Sequence, residues 1–258
     1  MPADDILVVD RVSKSFGGLR ALDNVSFRVR RREILGLIGP NGAGKTTLFN
    51  VITGVYKPDS GRVVFDGTDI TGWPPHRVAR RGIARTFQIV KPFPNMSVKQ
   101  NAMVGALFGR RADEITVEEA EDIAMRALEF VGLAEKAELP ASALNIHEKK
   151  MLEMARALAA EPLLLLLDEV LAGLTPREVE EMLRVIERVR SERGVTVIMV
   201  EHLMHAVMNV ADRVVVLSFG RKIAEGSPEE VASNPVVVEA YLGDASLALQ
   251  FVKRRRGG

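Results

Sequence analysis

Eight residues from Gly39 to Thr46 read Gly-Pro-Asn-Gly-Ala-Gly-Lys-Thr, a spacing suited to holding phosphate. Glycines let several backbone N–H groups turn inward on one anion, where Cβ atoms would obstruct the approach. Lys45 supplies a point charge for β- and γ-phosphates, and the Thr46 hydroxyl can ligate Mg²⁺. The apolar run Ile34–Ile38 before the loop reads as a buried strand, and Thr46–Ile52 after it as a helix. The N-terminal partial charge of that helix falls on the same spot. A nucleoside triphosphate is the expected ligand.

A second constellation lies at Leu163–Leu167, an apolar run ending in Asp168-Glu169. A fully buried strand tolerates adjacent acids only at its C-terminal end, the edge where open α/β sheets bind ligands. Asp168 is expected to hold the magnesium, directly or through water, and Glu169 to orient and deprotonate an attacking water. A third strand, Val195–Val200, is followed by Glu201-His202. Its imidazole is expected at the same sheet edge, in a position to hydrogen-bond a γ-phosphate.

These groups need a frame. Strands are expected at Ile6–Val9, Val25–Val29, Glu33–Ile38 and Arg62–Phe65, with helical texture from about Ile89 to Ala160. Thr116 and Glu119 form a capping box for one helix that Gly132 stops, and Thr175-Pro176-Arg177-Glu178 starts another that Gly194 ends. Strands then return at Leu163–Leu167, Val195–Val200 and Val214–Leu217 in alternation with helices. That order indicates a mostly parallel sheet covered on both faces. The chain is expected to be one domain over 1–258, with a core of about 1–88 and 161–244, a helical subdomain of about 89–160 and a basic tail at 245–258. The tail is expected either to be solvated or to touch anionic lipid.

Composition excludes several classes. Hydrophobic residues make up 47% and charged residues 27%, a globular balance, and the net charge of +1 gives no reason to expect nucleic acid. The absence of cysteine rules out disulfides and thiolate metal sites. Acidic Ala3-Asp4-Asp5 stands where a signal peptide would be positive, and no apolar run is long enough to cross a bilayer. A cytosol-facing protein is expected.

The P-loop, Gln88 within Arg85-Thr86-Phe87-Gln88, the Leu163–Glu169 strand, Ala172-Gly173-Leu174-Thr175-Pro176 and His202 occur in an order that resembles the ATPase subunits of ABC transporters. The match spans about residues 5–244. The resemblance implies an α/β fold with a P-loop NTPase core of ABC ATPase type, an antiparallel β subdomain and an inserted helical subdomain. It implies ATP and Mg²⁺ as cofactors, bound by Phe16 against adenine and by Gly39, Pro40, Asn41, Gly42, Ala43, Gly44, Lys45, Thr46 and Thr47. Lys45, Gln88, Glu169 and His202 would be catalytic, and Thr46, Gln88 and Asp168 would serve the metal. Gln88 would also link ATP to transmembrane permease subunits, the chain lying peripherally on the cytoplasmic face of the membrane.

Arg85–Gln88, Pro92-Phe93-Pro94-Asn95-Met96-Ser97-Val98, Asn234-Pro235 and Ala240-Tyr241-Leu242-Gly243 look closer still to the branched-chain amino-acid uptake subfamily. Import of branched-chain or related amino acids is then the expected function, with an extracytoplasmic binding protein as an indirect partner. Other cargo, such as urea, an amide or exported lipopolysaccharide, is the alternative, as is a soluble ABC ATPase outside transport. The stretch after Gln88 is either a docking surface for the permeases or packing for the helical subdomain.

The chain departs from the family at the signature, normally Leu-Ser-Gly-Gly-Gln, which covers the γ-phosphate of the facing subunit. Here it reads Leu144-Asn145-Ile146-His147-Glu148. Both glycines are gone, and Glu148 brings negative charge towards an anion. Asn145 and Glu148 suit a capping box instead. Val170 also replaces a common proline, and Thr175 an acidic or amide residue. A heterodimer is therefore expected, in which a second ATPase subunit with an intact signature completes this chain's nucleotide site.

Overall fold

The apolar run Ile6–Val9, buried throughout, forms the centre of β1 (Asp5–Phe16), and alternating apolar and polar residues make β2 (Leu19–Arg30) half-buried; the two pair antiparallel with Val9 opposite Phe27 and Val12 opposite Val25. Both run longer than their apolar centres suggest, because a bulge between Val9 and Val12 lets the pairing continue past Asp10 and Arg11. The computed structural model describes residues 4–87 and 91–242. Gln88 and the basic tail lie outside them. The chain divides into two compact units, Met1–Pro74 with Thr196–Gly258, and Pro75–Val195.

In the first unit β3 (Ile34–Ile38) is buried at every residue and leads through the glycine loop into α1 (Lys45–Ile52). Then β4 (Ser60–Phe65) and β5 (Thr68–Asp69) join the first two strands in a sheet of order β2-β1-β4-β5.

The second unit begins with α2 (Pro75–Arg81) and β6 (Ile83–Arg85). Three helices follow: α3 (Val98–Phe108), α4 (Val117–Val131) and α5 (Ile146–Ala159). Each opens on a capping box, at Ser97/Gln100, Thr116/Glu119 and Asn145/Glu148. The unit closes with β7 (Leu164–Asp168) and α6 (Pro176–Arg193), whose cap is Thr175 and whose stop is Gly194 in the left-handed conformation. β6 lies parallel to β7 with Arg85 opposite Leu166.

Helices α3 and α5 cross at Gly105, where a Cβ would lie 1.9 Å from the Arg156 carbonyl oxygen. No rotamer change relieves a clash with backbone, so Gly105→Ala is expected to cost about 1–3 kcal/mol through forced separation of the helices. Urea denaturation measures this, and an unchanged midpoint would contradict the close crossing.

The chain then returns to the first unit through β8 (Thr196–Val200), α7 (Met204–Val210), β9 (Arg213–Ser218) and β10 (Arg221–Gly226), and ends in α8 (Pro228–Ser233) and α9 (Pro235–Leu242). β3 is parallel to both β8 and β9, while β10 runs antiparallel to β9. Arg213 ties this region together, placing its Nε 2.8 Å from buried Glu33. Among the described residues no helix is long and apolar enough to cross a membrane.

Candidate functional site

In the first unit the register of Leu37 with Val200 brings two strand ends together, so the glycine loop after β3 and Glu201-His202 after β8 leave from the same edge. The loop has the backbone that its glycines foretell: φ is +153° at Gly39, +76° at Gly42 and +101° at Gly44. A Cβ on Gly39 would lie 2.1 Å from the Leu217 carbonyl oxygen, so only glycine lets the loop pass β9. The turn between β9 and β10 supports the loop further, because the Gly220 N–H donates to the Ala43 carbonyl over 3.1 Å. The apolar pattern of β9 alone did not announce that support.

Five helices satisfy first-turn N–H groups with capping boxes; α1 begins at Gly44, which has no side chain to offer. An anion therefore meets a helix start that the protein has not capped for itself. Lys45 is buried, and its Nζ donates to the carbonyls of Gly39 at 2.6 Å and Pro40 at 3.1 Å. Asn41, Gly42 and Thr46 are exposed, Ala43 is buried, and Pro40, Gly44 and Thr47 are partly covered. These features fit a polyphosphate. His202 is partly covered.

Phe16 ends β1 and is 41% exposed, its ring T-shaped to Tyr56 at 5.0 Å between centroids and its centroid 5.5 Å from the Lys14 ammonium. An exposed ring in a cationic setting suits a flat, electron-rich base. Lys14 is held in place by Asp59 at 2.9 Å, and that contact keeps the Asp59 carboxyl below its ordinary range.

In the second unit β7 ends on Asp168, which is 3% exposed, and Glu169 follows, partly covered. Arg85 Nη2 donates to Asp168 Oδ2 over 2.7 Å, and the Asp168 N–H reaches Thr86 Oγ1 at 3.2 Å. Glu169 has φ +51°, a left-handed conformation that is costly for a residue with a Cβ. Its carbonyl accepts from Lys150 Nζ on α5 and from the Ala172 N–H, both at 3.3 Å. Strain at such a strand end, held in place by its neighbours, is typical of functional positions.

The segment at the signature position is turned on itself. Asn145 Oδ1 accepts the Glu148 N–H, and Glu148 Oε2 accepts the Asn145 N–H, each at 2.9 Å. Glu148 also pairs with Lys136, and these two contacts, Lys136 first, hold its carboxyl below the usual range. Glu148 therefore stays ionised, with its charge met by Lys136. Leu144 is buried and Ile146 is 66% exposed, while His147 lies with Nε2 3.8 Å from Glu181 Oε2, beyond hydrogen-bond reach.

Sequence reasoning did not single out Glu153, a buried acid on α5 that accepts the Phe87 N–H at 3.1 Å. Its signal was present: an acid inside the otherwise apolar run Met151–Ala155 of α5. The partnership of Arg85 with Asp168 was likewise unforeseen.

The ABC transporter family pattern matches residues 22–172, and that of the branched-chain amino acid ATP-binding cassette transporter matches 221–246. The chain is 40% identical over 251 residues to the high-affinity branched-chain amino acid transport ATP-binding protein BraF of Pseudomonas aeruginosa, covering 93% of this chain and 98% of that one. It is 42% identical over 255 residues to LivG of Salmonella typhimurium, with the same coverage of both. Among solved structures, an ATP-binding cassette of an ABC transporter in its ADP conformation superposes with a TM-score of 0.85 at 35% identity, over 93% of this chain and 99% of that one. With the β3–loop–α1 cradle and a match that runs nearly end to end, this chain belongs to the ABC transporter ATP-binding cassettes, in their branched-chain amino acid group.

Proposed function

We propose that this chain is the ATP-hydrolysing subunit of an importer for branched-chain or related amino acids. It works at the cytoplasmic face of the membrane beside separate permease subunits, which in turn receive cargo from an extracytoplasmic binding protein. The observation that carries this reading is the 40% identity to BraF spread over 98% of that protein, with the P-loop intact.

The roles divide as follows. Phe16 stacks on adenine, and Gly39–Thr47 hold the phosphates, with Lys45 supplying charge. Thr46 and Asp168 offer hard oxygen ligands of the kind Mg²⁺ takes, with Gln88 as the third group assigned to it, and the bound cation would neutralise phosphate charge. Glu169 takes a proton from water as the water oxygen bonds to the γ-phosphorus and ADP leaves, while His202 steadies the γ-phosphate. The chemistry is positioning and charge stabilisation, with no covalent enzyme intermediate.

The test is purification of the tagged chain from its own cell membrane, followed by reconstitution. Two polytopic permease subunits should accompany it, and vesicles with the binding protein should take up leucine when ATP is present. Uptake of urea in place of leucine would reassign the cargo. Lack of any polytopic partner would sink the transport reading.

The self-capped start of α5 supports an asymmetric pair of ATPase subunits. Asn145 and Glu148 spend polar groups on each other and Glu148 also on Lys136, so neither side chain is left to hold a phosphate. This chain's P-loop is then completed by a partner with a better signature, while the partner's nucleotide meets Leu144–Glu148. Replacing Asn145 with Ser and His147 with Gly is expected to raise turnover at the partner's P-loop alone. Equal turnover at both sites of the native pair would refute the asymmetry.

A further inference from the structure

Parallel pairing of β6 with β7 sets Arg85 opposite Leu166. Side chains alternate between the faces of a strand, so Asp168, two residues beyond Leu166, stands on the same face as Arg85. The two meet there: Arg85 Nη2 donates to Asp168 Oδ2 over 2.7 Å, with the arginine side chain 7% exposed and the aspartate side chain 4%. Neighbours hold both partners in place. Thr86 donates its N–H to the Leu166 carbonyl at 2.9 Å and accepts the Asp168 N–H at Oγ1. The Phe87 ring centroid lies 5.2 Å from the Arg85 guanidinium, a second attraction that keeps the cation beside the strand end.

A buried ion pair is a poor device for stability alone. Taking two charges out of water costs about what their attraction returns, and an apolar pair of equal volume does as well or better. Strand β7 is leucine at every position before Asp168, so an apolar residue would suit that place. The carboxylate is explained by a use at the sheet edge, and the guanidinium by what it does to that carboxylate. We propose that Arg85 is a positioning residue that occupies Asp168 as an internal cation, closing it to a bare divalent ion and yielding only to one that arrives with nucleotide phosphates. The role rests on the reading of Asp168 as a Mg²⁺ group given above.

A carboxylate already neutralised by a guanidinium offers little attraction to a dication, which must also approach the arginine's own charge. Phosphate oxygens change that balance, because Mg²⁺ is ordinarily held by one or two carboxylates together with substrate phosphates. Arg85 thereby ties occupancy of Asp168 by metal to the presence of nucleotide. Its planar fork also orients the carboxylate, which a lysine in its place would do less well.

Mn²⁺ binding to the nucleotide-free, full-length chain, read by electron paramagnetic resonance, tests this without reference to hydrolysis. Arg85→Met should raise Mn²⁺ affinity by about tenfold or more, a small part of the Coulomb energy of a unit charge beside a dication. Arg85→Lys keeps the charge and should stay near the native affinity. The double variant Arg85→Met with Asp168→Asn should show no gain, which places the new affinity at residue 168. Thermal melts should follow the same pattern. Without metal, Arg85→Met leaves a buried carboxylate unmatched and should lower Tm by about 5–10 °C. Mn²⁺ should recover most of that loss in the single variant and none in the double. If Arg85→Met does not fold, Arg85→Gln retains a donor without the charge and should show the same gain. Native Mn²⁺ affinity in the uncharged variants, a gain that persists in the double variant, or a stability loss that Mn²⁺ leaves untouched would each overturn the proposal. Asp168→Asn with ATP bound separates the two readings. Unchanged Mn²⁺ affinity in that state would count against Asp168 as the metal group, whereas a loss there without a gain in Arg85→Met would count against Arg85 alone.

Discussion

Glu169→Gln is expected to leave ATP affinity within about twofold and to cut hydrolysis by about 100- to 10,000-fold, the span attributed to a positioned general base. The two side chains have nearly the same shape, so the strand end, the Lys150 contact to the 169 carbonyl and the turn to Ala172 should persist. What is lost is the capacity to accept a proton from water. Equilibrium binding of a fluorescent ATP analogue measures the first quantity, and single-turnover phosphate release the second. Unchanged release would remove Glu169 from the role of base. A companion substitution separates function from stability. Because φ at 169 is +51°, Glu169→Gly relieves backbone strain worth roughly 1 kcal/mol, so it should abolish hydrolysis without lowering the melting temperature. A large destabilisation would show that the glutamate serves structure.

The second large effect is at Lys45. Its ammonium is buried beneath the glycine loop, with donors directed to the carbonyls of Gly39 and Pro40. Lys45→Met keeps the stem and removes the charge and all three donors, so ATP affinity should fall by about 100-fold, the worth of a charge-assisted contact to phosphate. The loss for ADP should be smaller, because the γ-phosphate is missing. Leaving the two carbonyls without their partner costs about 1–2 kcal/mol of stability as well. Calorimetric titration and thermal melts read these effects separately. Equal losses for ADP and ATP would place the lysine on the α/β-phosphates alone, and full ATP affinity would refute the assignment.

The order of elements was legible because its cues are local. A capping box spans three residues and is satisfied wherever a helix starts. Thr116, Asn145 and Thr175 therefore announced α4, α5 and α6, and the structure contains each bond they imply. The glycine loop was legible for the same reason, since positive φ at Gly42 and Gly44 is a property of those residues before any neighbour is considered. Continuous apolar runs likewise marked β3 and β7 as strands covered on both faces.

Other features could not be read in this way. Phe87 and Glu153 lie 66 residues apart, and Arg85 and Asp168 lie 83 apart. Each pair meets because parallel pairing of β6 with β7 and the packing of α5 close long loops, at an entropic cost that no local pattern records. The left-handed turn at Glu169 is also a tertiary decision, since a glutamate alone would avoid it. By itself, then, the sequence determined that the chain cradles a polyphosphate, carries two acids at a strand end and caps its own signature segment. Tertiary structure decided which buried charges face one another, and so which of them govern the acids.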